Sequence, residues 1–282
     1  MKYIHTPEDI ERAIIRFGDS PVLGAPYQKD GYSVIIAGPQ EVFGELDLNQ
    51  FPTQRLIIGI HTWPPGKSGG SHHHTNREES YYIFAGQAEI TVGDERKVVG
   101  AGSSAYIPPK VKHDLAAVGD ETLVAVMVGA VLDEDEVDAW ETLSGQHLRG
   151  SKRAWKYIHT PADYDGAYVG DEHGFTDMVA GPHHKYGERR TLKGEPLECF
   201  PSVRMAYSFH NWEPGKSHGS HRHTDMEQCY YVLAGRADVT IDGNLKTVGP
   251  GSSGHNPLRI QHDIVAVGDE TLVVGVIGCV LE

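Results

Sequence analysis

The chain has 282 residues, with 39 acidic and 25 basic side chains and a formal net charge of −14. Nucleic-acid affinity comes largely from Lys and Arg clusters, so this balance argues against a phosphate-backbone partner. No stretch reaches the roughly 18 apolar residues that a membrane span requires, and charges interrupt the apolar positions of the N-terminal residues. We predict a soluble, cytoplasmic protein with neither a nucleic-acid nor a membrane partner.

The sequence KYIHTP at residues 2–7 opens the chain and recurs at residues 156–161. A helix candidate at residues 8–17 follows the first copy. Short β-branched or aromatic runs separated by glycine-containing turns then indicate β-structure. The predicted strands of this half are residues 56–60, 81–84, 89–92 and 123–128.

An acidic run from Asp133 to Leu143 precedes Ser144, Gly145 and a basic stretch at residues 149–153. Negative charge is favoured at a helix N-terminus and glycine ends helices, so the pattern predicts a short helix and a linker. We therefore expect an N-terminal domain at residues 1–143, a linker at 144–155 and a C-terminal domain at 156–282.

The second half repeats the first at a constant offset of 149 residues, without a gap, from Arg55 and Arg204 to Leu132 and Leu281. Its predicted strands are residues 205–209, 230–233, 238–241 and 272–277. Short strands at this turn spacing are typical of a barrel or a double-sheet jelly roll. The fold class is therefore all-β, with two tandem domains. From their position, residues 2–4 and 156–158 suggest strands exchanged between the domains.

The three cysteines, Cys199, Cys229 and Cys279, all lie in the second half. Their odd number and irregular spacing do not fit a disulfide framework, and none belongs to a CxxC pair. We expect small, buried apolar side chains in a reducing compartment.

A repeated set of histidines indicates metal binding. Residues two apart on a strand point to the same side, and imidazole is the commonest protein ligand for divalent transition metals. Three histidines with one oxygen donor suit several ions. We predict one divalent metal per domain, Fe(II) or Mn(II) in preference to Ni(II), Co(II) or Zn(II). The predicted ligands are His72, His74, Glu79 and His113, then His221, His223, Gln228 and His262.

The segment from Gly66 through HHH at residues 72–74 and Glu79 to Gly86 resembles the first cupin motif. Gly102, Pro108 and His113 resemble the second, with Lys110 where that motif often has glycine; both motifs recur in the second half, with Arg259 at the glycine position. The chain is similar to bicupins. That resemblance implies two cupin jelly-roll barrels, with short helices at the N-terminus and in the linker.

Counting back from Gly86 and Gly235 pairs Glu79 with Gln228. An amide in place of a carboxylate leaves the second metal complex more positive, which weakens metal affinity and favours an anionic substrate. A degenerate second site is the alternative. Counting from the histidines instead makes Glu78 and Glu227 the ligands, and the spacing leaves both registers open.

Positions that coincide between the repeats supply candidate catalytic residues. Arg55 and Arg204 suit bidentate binding of a carboxylate, or else pair with acids between the domains. His210, the counterpart of His61, shares a strand face with small and polar residues that leave room for a ligand. His255 is a candidate proton shuttle.

Resemblance to quercetin dioxygenase-like and Gln-containing bicupin enzymes implies catalysis on a small molecule. We expect an oxygenase acting on a small oxygenated organic acid or enol/keto compound that chelates the metal. An isomerase, a lyase or decarboxylase, and a hydrolase are alternatives within the enzyme class. A non-catalytic binding cupin is the alternative from another class. The oligomeric state is open, with a homodimer as one option.

Overall fold

A computed structural model describes residues 3–6, 9, 32–43, 51–140, 157–160, 168–171, 174–182 and 200–282. The predicted linker, Cys199 and all of the predicted helix at 8–17 except Asp9 lie outside these ranges. Within them, no helix is long and apolar enough to cross a membrane. The acidic run forms helix α2 over residues 134–140, and a short helix α1, Gln40–Phe43, was not predicted.

The described residues are mostly strand, and the eight strands predicted within the two repeats, from 56–60 to 272–277, each lie within an observed one, whereas the segments 2–4 and 156–158 overlap β1 and β11 only in part. The strands are β1 Ile4–His5, β2 Tyr32–Pro39, β3 Phe51–Thr53, β4 Leu56–Trp63, β5 Arg77–Ala85, β6 Gln87–Val92, β7 Glu95–Gly100, β8 Ser104–Ile107, β9 His113–Val118, β10 Leu123–Val131, β11 Ile158–His159, β12 Tyr168–Asp171, β13 Gly174–Pro182, β14 Phe200–Ser202, β15 Met205–Trp212, β16 Met226–Ala234, β17 Arg236–Ile241, β18 Asn244–Val248, β19 Ser253–Asn256, β20 His262–Val267 and β21 Leu272–Val280.

Each half forms a large sheet that faces a small one, as a jelly roll requires. In the first half the large sheet has the order β11-β8-β5-β10-β4-β2-β3 and the small sheet β7-β6-β9. In the second half the orders are β1-β19-β16-β21-β15-β13-β12, with β14 beside β13, and β18-β17-β20. The two-domain, all-β prediction is confirmed.

The domains exchange their edge strands, as the repeated KYIHTP segment suggested. Strand β1 comes from the first repeat but pairs with β19 of the second, where Ile4 lies opposite Gly254. Strand β11 makes the reciprocal pairing with β8, where Ile158 lies opposite Ala105. Each exchanged strand covers a sheet edge with unpaired backbone groups and links the two domains.

Alternation along the strands divides the apolar side chains into three cores. In β4, Leu56 and Ile58 join a cluster shared by both domains, whereas Ile57 belongs to the interior of the first barrel. Tyr207 and Phe209 enter the shared cluster from the second domain, whose barrel has its own interior. The shared cluster makes the domain interface a hydrophobic core, so we expect the domains to act as one unit.

Two buried glutamates hold this interface from opposite sides. The Glu78 carboxylate accepts hydrogen bonds from the backbone N–H groups of Val203, Arg204 and Met205 at 2.8 to 2.9 Å and from the Tyr106 hydroxyl at 2.7 Å. In the reciprocal contact, Glu227 accepts from the N–H groups of residues 54–56 at 2.8 to 2.9 Å. We call these contacts the carboxylate clasps.

The clasps decide the register of the carboxylate ligand. Because successive strand residues point to opposite faces, Glu78 and Glu227 face the other domain while Glu79 and Gln228 face their own barrel. The alternative in which Glu78 and Glu227 bind metal is therefore wrong.

Candidate metal centres

The N-terminal centre combines His72, His74 and His113 with Glu79. His72 and His74 lie in the segment before β5, and His113 begins β9. Two backbone hydrogen bonds, of 3.0 and 2.8 Å, join His72 to His113. One ring nitrogen of each histidine lies within 4.8 Å of those of the others. The structure thus brings the predicted histidines together from separate parts of the sequence.

Backbone carbonyls fix the ring orientation at this centre. The Nδ1 atom of His72 lies 2.8 Å from the Gly70 carbonyl, and that of His113 lies 3.0 Å from the Val111 carbonyl. A carbonyl only accepts hydrogen bonds, so Nδ1 carries the proton and the Nε2 lone pair is left for a metal.

Glu79 supplies the oxygen donor of the N-terminal centre. Its side chain is buried, and its two oxygens lie 3.3 Å from His74 Nε2 and 3.5 Å from His113 Nε2. Burial alone would raise the pKa of Glu79, but the Arg77 guanidinium, followed by the neighbouring His113 and His74 rings, holds this pKa well below its usual range. The carboxylate is therefore ionised and available as a ligand.

The C-terminal centre repeats this arrangement with His221, His223 and His262, whose ring nitrogens also lie within 4.8 Å of one another. The Nδ1 atoms of His221 and His262 lie 2.7 and 2.9 Å from backbone carbonyls. The Nε2 atom of His262 is buried without a hydrogen-bond partner. Gln228 stands where Glu79 does, and its amide oxygen accepts a 3.1 Å hydrogen bond from Asn256.

The donor sets at both centres fit a divalent transition metal. A buried imidazole nitrogen without a partner costs free energy that coordination would recover. Three imidazoles converge at each centre, with the Glu79 carboxylate beside those of the N-terminal one, and carbonyls fix the tautomers as in known metal sites. The C-terminal centre keeps all three histidines, which argues against the degenerate alternative.

The turn inside each second motif, before its histidine, explains why the motif often has glycine there. Lys110 and Arg259 have φ values of 66° and 64°, in the left-handed region that favours glycine. Their backbone N–H groups each donate a 2.7 Å hydrogen bond, to the carbonyls of His74 and His223 respectively. These bonds hold the second histidine of each HxH pair.

The predicted catalytic arginines do not contact the metal-binding histidines. The Arg55 guanidinium donates to the Val131 carbonyl at 3.1 Å and pairs with Asp133 at 2.6 Å. Arg204 pairs with Glu136 at 2.6 Å. Both arginines therefore meet acidic residues around the start of α2, as the alternative of ion pairs between the domains proposed. We withdraw the carboxylate-binding prediction for Arg55 and Arg204.

His210 lies where the prediction put it, on the inner face of its strand. Its Nε2 atom is 3.0 Å from Ser208 Oγ, and its ring packs against Trp212 and His218. A catalytic role for His210 stays a prediction. Its counterpart His61 lies 2.7 Å from Ser33 Oγ, and burial lowers the pKa of His61 to about 4.

The proton-shuttle prediction for His255 is wrong. In β19, Asn256 faces Gln228, so the preceding residue points to the opposite side of the sheet. There the His255 ring lies 5.5 Å from that of Phe51, at the domain interface. Tyr106, its counterpart, donates to Glu78, as expected of a packed tyrosine with its hydroxyl satisfied.

Sequence reasoning missed two residues at the centres, Arg77 and Asn256. Arg77 contacts Glu79 and His74, and Asn256 holds Gln228. The signal available in the sequence was a difference between the repeats, since the counterparts are Met226 and Ile107. A search for positions that coincide between the repeats does not find them, because Arg77 and Asn256 are positions at which the repeats differ.

A family model described as the cupin domain matches the chain twice, at residues 59–129 and 208–278. Oxalate decarboxylase OxdC of Bacillus subtilis is 24% identical over 267 residues, which cover 81% of this chain and 69% of that protein. A mannose-1-phosphate guanylyltransferase of Salmonella montevideo is 38% identical over 97 residues, but the match covers only 20% of its length.

Solved structures give the same fold. The Lactobacillus farciminis oxalate decarboxylase formate complex superposes with a TM-score of 0.63 at 15% identity, covering 100% of this chain and 86% of that one. Bacillus subtilis oxalate decarboxylase at pH 4.6 gives a TM-score of 0.56 at 18% identity, covering 88% and 72%. At this identity the likeness concerns the fold.

Proposed function

Because the chain belongs to the cupin family, with a cupin domain in each half, we propose that it is a metal-dependent bicupin lyase that removes a carboxyl group from a small carboxylic acid. The observation that carries the proposal is the similarity to oxalate decarboxylase, which spans both domains. The retained histidine triads of both centres support it.

The sequence alone favours an oxygenase, with a decarboxylase as an alternative, whereas the comparison with known proteins favours the decarboxylase. A relative that matches 81% of the chain is a decarboxylase, and a shared fold does not by itself fix the reaction class. We therefore do not carry the dioxygenase assignment forward.

Mn(II) is the proposed metal, because Mn(II) centres are named for the Bacillus subtilis enzyme. The ligands would be His72, His74, His113 and Glu79 in the N-terminal domain and the corresponding four residues in the C-terminal domain. A bound divalent ion would act as a Lewis acid toward carboxylate oxygens of the substrate.

A side chain of this protein would donate the proton that the reaction needs at the N-terminal centre. Loss of CO₂ leaves a carbon that must gain a proton. The Tyr81 ring lies 6.2 Å from that of His113, and burial, followed by the charge and hydrogen bond of Glu79, raises the pKa of Tyr81 well above its ordinary value. Its hydroxyl therefore keeps its proton at neutral pH, and its position beside Glu79 and His113, not its acidity, makes it our candidate donor.

The test uses metal-free protein reconstituted with Mn(II) and supplied with oxalate and other small mono- and dicarboxylic acids. We expect CO₂ release with an equal amount of the decarboxylated acid and no net O₂ consumption. Net uptake of O₂ in proportion to substrate would restore the oxygenase. Binding without conversion of any acid would indicate a binding cupin.

Single-centre variants complete the test. His72→Ala and His221→Ala should each remove one centre, so the share of turnover that each retains reports which domain is active. The cytoplasmic location, the domain boundaries and the homodimer stay predictions from the sequence.

A further inference from the structure

Arg77 is the residue that most distinguishes the two centres. It lies two residues before Glu79 on β5, so both side chains point into the barrel. Its Nη2 atom lies 2.8 Å from Glu79 Oε2 and also contacts His74 Nε2. Its Nε atom is buried and has no hydrogen-bond partner. The guanidinium is thus held by metal ligands at one end and has an unused donor at the other.

This position conflicts with a bound metal. The Nη2 group faces the lone pair of His74 Nε2, which a metal ion would need. A guanidinium is always charged and only donates hydrogen bonds, so it cannot share that lone pair with a cation. Metal binding must therefore move the Arg77 guanidinium away from His74.

A cleft beside the centre can receive it. The cleft has a volume of about 250 Å³, and its lining includes Ile57, His74, Asn76, Arg77 and Val131. A water molecule occupies roughly 30 Å³ of liquid, so the cleft has room for the guanidinium head and a small organic acid. The cleft therefore offers the side chain a new position close to the metal ligands.

The space for this side chain is built into the fold. A Cβ atom on Gly129 would lie 3.3 Å from Arg77 Cδ. The C-terminal domain has Gly278 at the matching position, where the same added atom would lie 2.5 Å from Met226 Sδ. Each domain thus has a glycine that leaves room for a long side chain at the same place. That side chain is the charged Arg77 in the N-terminal domain and the uncharged Met226 in the C-terminal domain.

The centres differ at two positions, Arg77 against Met226 and Glu79 against Gln228, and the charges of these residues explain why the two differences occur together. Glu79 and Arg77 contribute one negative and one positive charge to the N-terminal centre, whereas Gln228 and Met226 contribute none. The net charge of the two centres is therefore the same. At this position the N-terminal centre has a cation, Arg77, that can bind an anion away from the metal, whereas the C-terminal centre has the uncharged Met226.

We propose that Arg77 is a carboxylate-binding, specificity-determining residue: metal binding releases its guanidinium from His74 and Glu79, and the released group binds the second carboxylate of a small dicarboxylate. This inference rests on the proposed function for its substrate class. It assigns dicarboxylate selectivity to the N-terminal centre, whereas the C-terminal centre, with Met226, does not distinguish mono- from dicarboxylates in this way.

The experiment compares Arg77→Met with the parent chain in a His221→Ala background, where only the N-terminal centre binds metal. Methionine is the matched replacement, because the C-terminal domain carries it at this position beside the same glycine. Co(II) affinity is measured by absorbance against a competing chelator. Loss of the competing cation should strengthen Co(II) binding by about tenfold or more.

Calorimetry on the Mn(II)-loaded proteins then compares oxalate with acetate. Arg77→Met should weaken oxalate binding by about 10- to 100-fold, the loss expected for charge-assisted hydrogen bonds, and change acetate binding less than about twofold. Arg77→Lys should fall between, because lysine keeps the charge without the bidentate geometry. In a His72→Ala chain, which retains only the C-terminal centre, Arg77→Met should change neither affinity.

Unchanged Co(II) affinity in Arg77→Met would overturn the release step, and an equal loss of oxalate and acetate binding would overturn the specificity. Both readouts are binding measurements, so they are independent of CO₂ release. A protein that binds oxalate through Arg77 without releasing CO₂ would refute the proposed decarboxylase and leave the Arg77 assignment standing.

Discussion

Replacing Glu78 with glutamine tests whether the carboxylate clasps hold the domains together. In the native structure one Glu78 oxygen accepts from the N–H groups of Arg204 and Met205, and the other accepts from the Val203 N–H and the Tyr106 hydroxyl. Glutamine can keep one oxygen in place, but its NH₂ group then faces the Val203 N–H. The tyrosine hydroxyl can rotate and accept, whereas a backbone N–H cannot.

The magnitude follows from these contacts. A buried N–H left without an acceptor costs about 1–3 kcal/mol, and the remaining bonds lose the charge that roughly doubles their strength. Burial raises the pKa of Glu78, which partly offsets the benefit of its charge. We therefore expect Glu78→Gln to lower the free energy of unfolding by about 3 kcal/mol. Tyr106→Phe, which removes one donor, should cost about 1 kcal/mol.

Urea unfolding of metal-free protein, followed by tryptophan fluorescence, measures both changes without a contribution from bound metal. Glu121→Gln is the matched control, because Glu121 is exposed and the same change of charge there should shift stability by less than about 0.5 kcal/mol. If Glu78→Gln and Glu121→Gln had the same stability, the clasp would contribute nothing and the reasoning from its hydrogen bonds would be refuted.

Three further predictions follow from individual side chains. The wild type should bind two metal ions per chain and His72→Ala or His221→Ala only one, measured by elemental analysis after dialysis; unchanged stoichiometry would show that the altered centre does not bind metal. Burial, then the charge of His5, lowers the pKa of His255 to about 4. The imidazole of the unfolded chain therefore takes up its proton at a higher pH, about 6.5, than the imidazole of the folded chain, so protonation favours unfolding as the pH falls. Between pH 7 and pH 5 the free energy of unfolding of His255→Tyr should fall by about 2 kcal/mol less than that of the wild type. Equal decreases in the two proteins would contradict the low pKa of His255. Gly86 has a φ of 72°, and an added Cβ would lie 2.6 Å from a backbone carbonyl, so Gly86→Ala should cost about 3 kcal/mol in the same assay, and a cost below 1 kcal/mol would count against it.

The two histidine triads could be predicted because their signal is local and repeated. Alternate residues of an extended segment point the same way, and the offset of 149 residues reproduced the pattern in the second half. The strand positions were equally accessible, because β-branched runs and glycine turns mark them within a few residues. The cupin family model matches residues 59–129 and 208–278, which contain these histidines and most of these strands. The fold that the local pattern predicted is therefore confirmed.

The carboxylate register could not be predicted, because it depends on what lies across the domain interface. Glu78 and Glu79 are adjacent and chemically identical, and only contacts such as that between Glu78 and Met205, 127 residues apart, distinguish them. The same holds for Arg55, whose acidic partner Asp133 is 78 residues away. Repetition showed that these positions matter without showing what each side chain contacts.

The sequence by itself determined the all-β tandem architecture and which three histidines of each half come together, since strand alternation and turn propensity act over a few residues. Only the tertiary structure decided that Glu79 and Gln228, and not Glu78 and Glu227, face the centres, where His255 points and how the edge strands are exchanged. Those outcomes depend on pairing between distant strands and on the packing of one domain against the other. The free energies of such contacts belong to the assembled fold and to no single segment of the chain.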